Sequence, residues 1–84
     1  MNWQQLQYFE KLVAVKHYRK ASEMLYITPP TLTKSINNLE RELGVPLFYK
    51  KNNNLYLTTY GKVFHSHIKN VLKEVSDCLN VIEF

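Results

Sequence analysis

Eighty-four residues, 45% hydrophobic and 21% charged with a formal net charge of +4, describe one small domain that folds, and exclude a disordered tail. A domain this short buries only roughly 60 to 65% of its unfolded surface, so a partner chain would add stability. A single cysteine, Cys78, excludes an intrachain disulfide, and no apolar stretch is long enough to span a bilayer; the expected setting is the reducing cytoplasm.

Asn2 followed by Gln5 predicts a capping pair, and Trp3, Leu6, Phe9, Leu12 and Val13 then recur at helical spacing. A first helix should run to about Val15 or Lys16. A short second helix is predicted from about Arg19 to Leu25, with Ala21, Met24 and Leu25 apolar and Arg19, a poor cap, at its start. His17, just before it, is assigned a surface or turn role. Thr28 is a good N-cap, and Leu32, Ile36, Leu39 and Leu43 fall on one helical face before Gly44, which offers a left-handed stop. These signals predict a third helix from Pro29 to Leu43. Proline in a helix interior costs ~3 kcal/mol, but at the first two positions the missing amides have no intrahelical partner to lose. Pro29 and Pro30 are therefore read as setting the start of this helix.

Leu47 to Lys50 and Leu55 to Leu57 are short aromatic and aliphatic runs around three asparagines, a residue that tolerates the positive φ of a tight hairpin. A two-stranded wing is predicted, with its tip at Asn52 to Asn54. Thr58 can cap a fourth helix continuing to about Phe84, in which Phe64, Ile68, Val71, Val75, Cys78 and Ile82 form a heptad seam flanked by Leu72 and Leu79. A helix of about 26 residues is ~39 Å long, more than a three-helix body of this size can cover. The overhang predicts a homodimer through the same helix of a second chain, with Cys78 as a small buried hydrophobe in the seam.

The second and third helices with the turn between them make a helix-turn-helix, which places its second helix in the DNA major groove. At 100° per residue, the side of the third helix opposite its buried face carries Pro30, Lys34, Asn37, Asn38 and Arg41, flanked by Thr31 and Thr33. No acid lies in that set. Threonine hydroxyls suit phosphate or base edges, Lys34 suits guanine O6 and N7, and Asn37 and Asn38 suit phosphate or adenine, while the free amides next to Thr28 favour phosphate. Between Glu42 and Glu74 the chain has lysines and no acid. Lys50, Lys51, Asn52 and Asn53 of the wing, residues 48–57, are therefore candidates for the backbone or minor groove. The other readings of these positions are a solvated polar face and a hairpin kept soluble by lysine.

Two glycines, Gly44 and Gly61, exclude a glycine-rich phosphate loop, and no acid pair or nucleophile with a base suggests an enzyme. His65 and His67 are two apart on a helix and so on different faces, which makes no metal chelate. No cofactor is expected. The remaining alternative is a homodimerisation or adaptor module without specific DNA binding.

The segments "LQYF", "KASEMLYITPPTLTKSINNLERELGVPLF" and "LTTYG" together resemble the N-terminal DNA-binding domain of LysR-type transcriptional regulators, over essentially the whole chain. The resemblance implies a mainly α winged helix-turn-helix at 1–58 and a dimerising linker helix at 59–84. It implies contacts to double-stranded DNA by Pro30, Thr33 and Lys34 and around Lys51 to Asn53, on a partly palindromic site. It also implies a C-terminal effector-binding domain, absent from these residues, as the only route to a small-molecule effector; the chain is read as an excised DNA-binding fragment, with a naturally short relative as the alternative, and a full-length protein is expected to form a dimer of dimers. Pro29 stands where the family commonly has Gln, and Lys34 where it has Arg, so an amide and a bidentate fork are missing here.

Overall fold

The structure, a computed structural model, describes residues 1–83. Among them the elements follow in the order α1 (Trp3–Val15), α2 (Tyr18–Met24), α3 (Pro29–Leu43), β1 (Phe48–Lys51), β2 (Asn54–Leu57) and α4 (Thr59–Glu83). The expected helix end at about Phe84 lies outside the described residues.

Local chemistry sets each boundary. At the start of α1, Asn2 Oδ1 accepts the Gln5 amide at 2.8 Å and Gln5 Oε1 accepts the Asn2 amide at 3.0 Å, the reciprocal box expected of that pair. Lys16 closes the helix in the left-handed region. The start of α2 differs from expectation. Its cap is His17, not Arg19, because imidazole Nδ1 accepts the Lys20 amide at 3.1 Å in the way an asparagine oxygen would. Thr28 Oγ1 accepts the Thr31 amide at 3.3 Å, Pro29 and Pro30 take the first helical positions of α3, and Gly44 ends it at φ 76°.

The wing pairs Phe48 with Leu57, Tyr49 with Tyr56, Lys50 with Leu55 and Lys51 with Asn54. Its tip is narrower than predicted. Asn52 and Asn53 carry the positive φ values, 53° and 63°, that a two-residue hairpin turn requires, and Asn54 joins β2. Leu47 lies outside the ladder: its amide donates to Glu40 Oε2 at 2.6 Å and its carbonyl accepts from the Thr58 amide at 2.9 Å.

Phe9, Leu12, Ala21, Leu32, Ile36, Leu39, Leu47, Leu55 and Ile68 form the core, each fully buried large side chain contributing about 1.5 to 3 kcal/mol. The Phe9 ring sits at its centre, 5.1 Å from that of Phe64 and 5.5 Å from that of Phe48. Glu10 Oε2 lies 3.0 Å from His65 Nε2 where α1 meets α4.

This packing corrects the seam. Ile68 is buried and Phe64 half-buried inside the same chain, with Leu72 packed beside them. Val71, Val75, Cys78 and Ile82, expected to be covered by a second copy, are exposed on the single chain. Heptad spacing identifies an apolar face but not whose surface covers it. The body takes the first half of that face, and the rest of α4 projects along a molecule 45 Å in its longest dimension. For the same reason position 58 is not a packing boundary, since the first turns of α4 belong to the core.

Candidate nucleic-acid interface

The outward face of α3 is held in place by what lies behind it. Leu32, Ile36 and Leu39 are buried, and α2 meets them with two small buried residues, Ala21 and Ser22, so the two helices approach closely. Ser22 satisfies its hydroxyl internally by donating to the Arg19 carbonyl at 2.7 Å.

In front, Pro29, Pro30, Thr33, Lys34, Asn37, Asn38 and Arg41 line one open groove. No carboxylate lines it, although Glu40 and Glu42 are on the same helix. Glu40 is turned toward the wing, where its Oε2 accepts from the Leu47 and Phe48 amides at 2.6 and 3.3 Å, and Glu42 accepts from the N-terminal ammonium of Met1. Both acids are thus drawn off the face that carries Lys34.

The structure separates the predicted contact residues into free and engaged groups. Pro30, Thr33, Lys34 and Asn37 are exposed around the groove. Thr28 and Thr31 are exposed at the start of α3, but their hydroxyls share a hydrogen bond of 2.8 Å. Asn38 is half-buried, with Oδ1 accepting from Arg41 Nη1 at 2.8 Å, and it borders a second recess beside Asn2, Gln4 and Tyr8 at the start of α1. On the wing, Lys51, Asn52 and Asn53 are exposed at the tip. Lys50 turns back to the body, its Nζ 6.0 Å from the centre of the Tyr18 ring, because it shares the core-facing side of the hairpin with Leu55. Tyr49 and Tyr56 stack on the opposite side with ring centres 5.5 Å apart.

Pro29 and Arg41 line the same groove, and neither was among the residues assigned to contact. The helical wheel already placed Arg41 on this side; Pro29 sits one step from Pro30 at the open end. The set offers hydroxyl, amide, ammonium and guanidinium donors on a rigid helix, and among the described residues no cluster of His, Cys, Asp or Glu could hold a metal ion. No helix among them is long and apolar enough to cross a membrane.

Residues 3–62 match the family model for the bacterial regulatory helix-turn-helix protein, lysR family. An uncharacterized HTH-type transcriptional regulator of Bacillus subtilis, YybE, is 40% identical over 77 residues, covering 92% of this chain and 26% of that protein. The chain thus spans about a quarter of the length of the curated relatives it matches. Among solved structures, the DNA-binding domain of BenM in complex with catB site 1 DNA superposes with a TM-score of 0.93 at 29% identity, covering 99% of this chain and 93% of that one. Full-length BenM superposes with a TM-score of 0.91 at 28% identity, covering 100% of this chain and 28% of that one.

Proposed function

The chain belongs to the LysR family of bacterial regulatory helix-turn-helix proteins, and we propose that it is the sequence-specific DNA-binding module of a transcriptional regulator. Residues 29–43 enter the major groove and the wing, 48–57, lies on the backbone or in the minor groove. The role is one of binding, not catalysis, and its setting is the cytoplasm. The observation that carries this reading is the acid-free groove of α3, with Pro30, Thr33, Lys34 and Asn37 projecting from a helix whose two acids are bonded elsewhere.

In this reading Lys34 and Asn37 read base edges, Thr28, Thr31 and Thr33 hold phosphates beside the free amides of the helix start, and Lys51, Asn52 and Asn53 follow the flanking strand. Lys50 and Asn38 act from behind, bracing the wing and Arg41. Val71, Val75, Cys78 and Ile82 supply an exposed apolar strip for a second copy, so that a dimer presents two recognition helices to a partly palindromic site. Phe64 and Ile68 support that strip from the core side. The BenM complex with DNA, at 29% identity over nearly the whole chain, supports the docking mode.

Titration of this chain with duplex DNA over a series of salt concentrations tests the proposal. Binding should be strong at low salt and weaken steeply as salt rises. A chain that fails to bind duplex at low salt, or whose binding is indifferent to salt, is instead a dimerisation module, the reading that the apolar strip of α4 alone would favour.

A further inference from the structure

Tyr26, in the turn between α2 and α3, adopts the left-handed region at φ 60°. Its amide donates to the Glu23 carbonyl at 3.1 Å, and the Ile27 amide donates to the Ser22 carbonyl at 3.0 Å. This paired bonding ends many helices, and the left-handed position in it is usually glycine. Any other L-residue there brings its Cβ against a carbonyl oxygen. Both bonds are made by backbone, so glycine would make them equally well.

Nor does the side chain repay the strain by packing. Ile27, the next residue, packs against the core, whereas Tyr26 is 94% exposed, the most exposed large hydrophobic among the described residues. Fold stability therefore gives no reason for a tyrosine here. Position does: Tyr26 stands two residues before the Thr28 cap, at the end of α3 that carries Pro30, Thr33 and Lys34, on backbone pinned by two hydrogen bonds.

We infer that Tyr26 is a DNA-backbone contact, its hydroxyl donating to a phosphate oxygen at the edge of the groove that receives α3 and its ring lying along the adjoining sugar. The inference rests on the proposed DNA-binding function. A phenol is one of the side chains that bond phosphate, and being neutral it adds a directional bond without releasing a further counterion. It fixes how the helix end sits on the strand, while Lys34 samples the bases.

The test compares Tyr26→Gly, Tyr26→Asn and Tyr26→Phe with the unaltered 84-residue chain. Thermal unfolding is measured, together with affinity for a random-sequence duplex and for a duplex that the unaltered chain selects from a random library, across salt. Tyr26→Gly should raise Tm, and all three variants should bind both duplexes roughly fivefold more weakly, as befits one lost hydrogen bond, with an unchanged salt slope. Asparagine, which also tolerates positive φ, keeps the test sound if glycine loosens the turn. Unchanged affinity in the glycine and asparagine variants overturns the contact while leaving DNA binding intact. So does a phenylalanine variant that binds as tightly as tyrosine, or a loss confined to the selected duplex. Failure of the unaltered chain to bind either duplex overturns both this contact and the function on which it rests.

Discussion

Glu40 and Leu47 are joined by a hydrogen bond of 2.6 Å from the Leu47 amide to the Glu40 carboxylate, which also accepts from Phe48 at 3.3 Å. The bond ties the last turns of α3 to the base of the wing and turns a negative charge away from the groove. Glu40→Ala leaves two part-buried amides without their charged acceptor and should destabilise the fold by about 1.5 to 3 kcal/mol in urea unfolding, with Glu40→Gln losing less. An alanine variant as stable as the unaltered chain would mean that the tie contributes nothing.

Tyr18 lies beside this carboxylate, and its phenol is pushed above the ordinary value of 10.0, first by burial and then by the Glu40 charge. A raised folded value means that the fold holds the neutral phenol. Its contribution is complete below about pH 10, the unfolded value, and is lost as the pH climbs through the folded one. Urea unfolding at rising alkaline pH should therefore show stability falling above that point, and Tyr18→Phe should flatten the fall. Equal slopes in the two proteins would assign the alkaline loss to other groups.

Gly61 is buried in the first turns of α4, where an added Cβ would lie 2.1 Å from the Leu47 carbonyl oxygen and 2.8 Å from a Leu57 methyl. The carbonyl is backbone that already accepts from Thr58, so it cannot give way cheaply. Gly61→Ala should cost about 1 to 3 kcal/mol or more, measured as a fall in Tm, even though alanine is the better helix former. A neutral or stabilising effect would show that α4 can slide away from the wing at no cost.

The divided face of α4 gives opposite outcomes for neighbouring substitutions. Ile68→Ala removes core and should cost about 2 to 4 kcal/mol of stability. Val71→Asp or Val75→Asp, on the exposed strip, should leave the subunit folded and make it monomeric in sedimentation. A persisting dimer in both aspartate variants would move the interface elsewhere.

Lys34 borders both recesses of α3, and in the proposed function it contacts a base edge. Lys34→Ala should lower affinity for the selected duplex by roughly tenfold or more, the worth of one specific contact, and for random duplex by much less. Equal losses on both, with a shallower salt slope, would reduce Lys34 to a phosphate contact.

Much of this was legible along the chain. The boundaries of α1 and α3 follow from Asn2, Gln5, Thr28, Pro29, Pro30 and Gly44, because caps and left-handed stops are interactions among residues a few positions apart. His17 escaped as a cap because imidazole is an unusual acceptor in that role. The polar face of α3 follows from helical geometry, opposite the apolar stripe of Leu32, Ile36 and Leu39. Which of its side chains are free does not: the Asn38 to Arg41 bond and the turning of Lys50 onto Tyr18 depend on rotamers and on neighbours from other elements.

By itself, then, the order of residues determined four helices, a hairpin and a basic, acid-free outer face on α3, since periodicity, capping and charge are all local. Only the tertiary structure decided that Phe64 and Ile68 belong to the core while Val71 and Val75 do not, that a carbonyl fourteen residues earlier leaves no room for a side chain at Gly61, and that Glu40 serves the wing. Each of these is a competition for one surface or one donor between segments distant in sequence. Its outcome depends on how the helices lie against one another, which no spacing along the chain encodes.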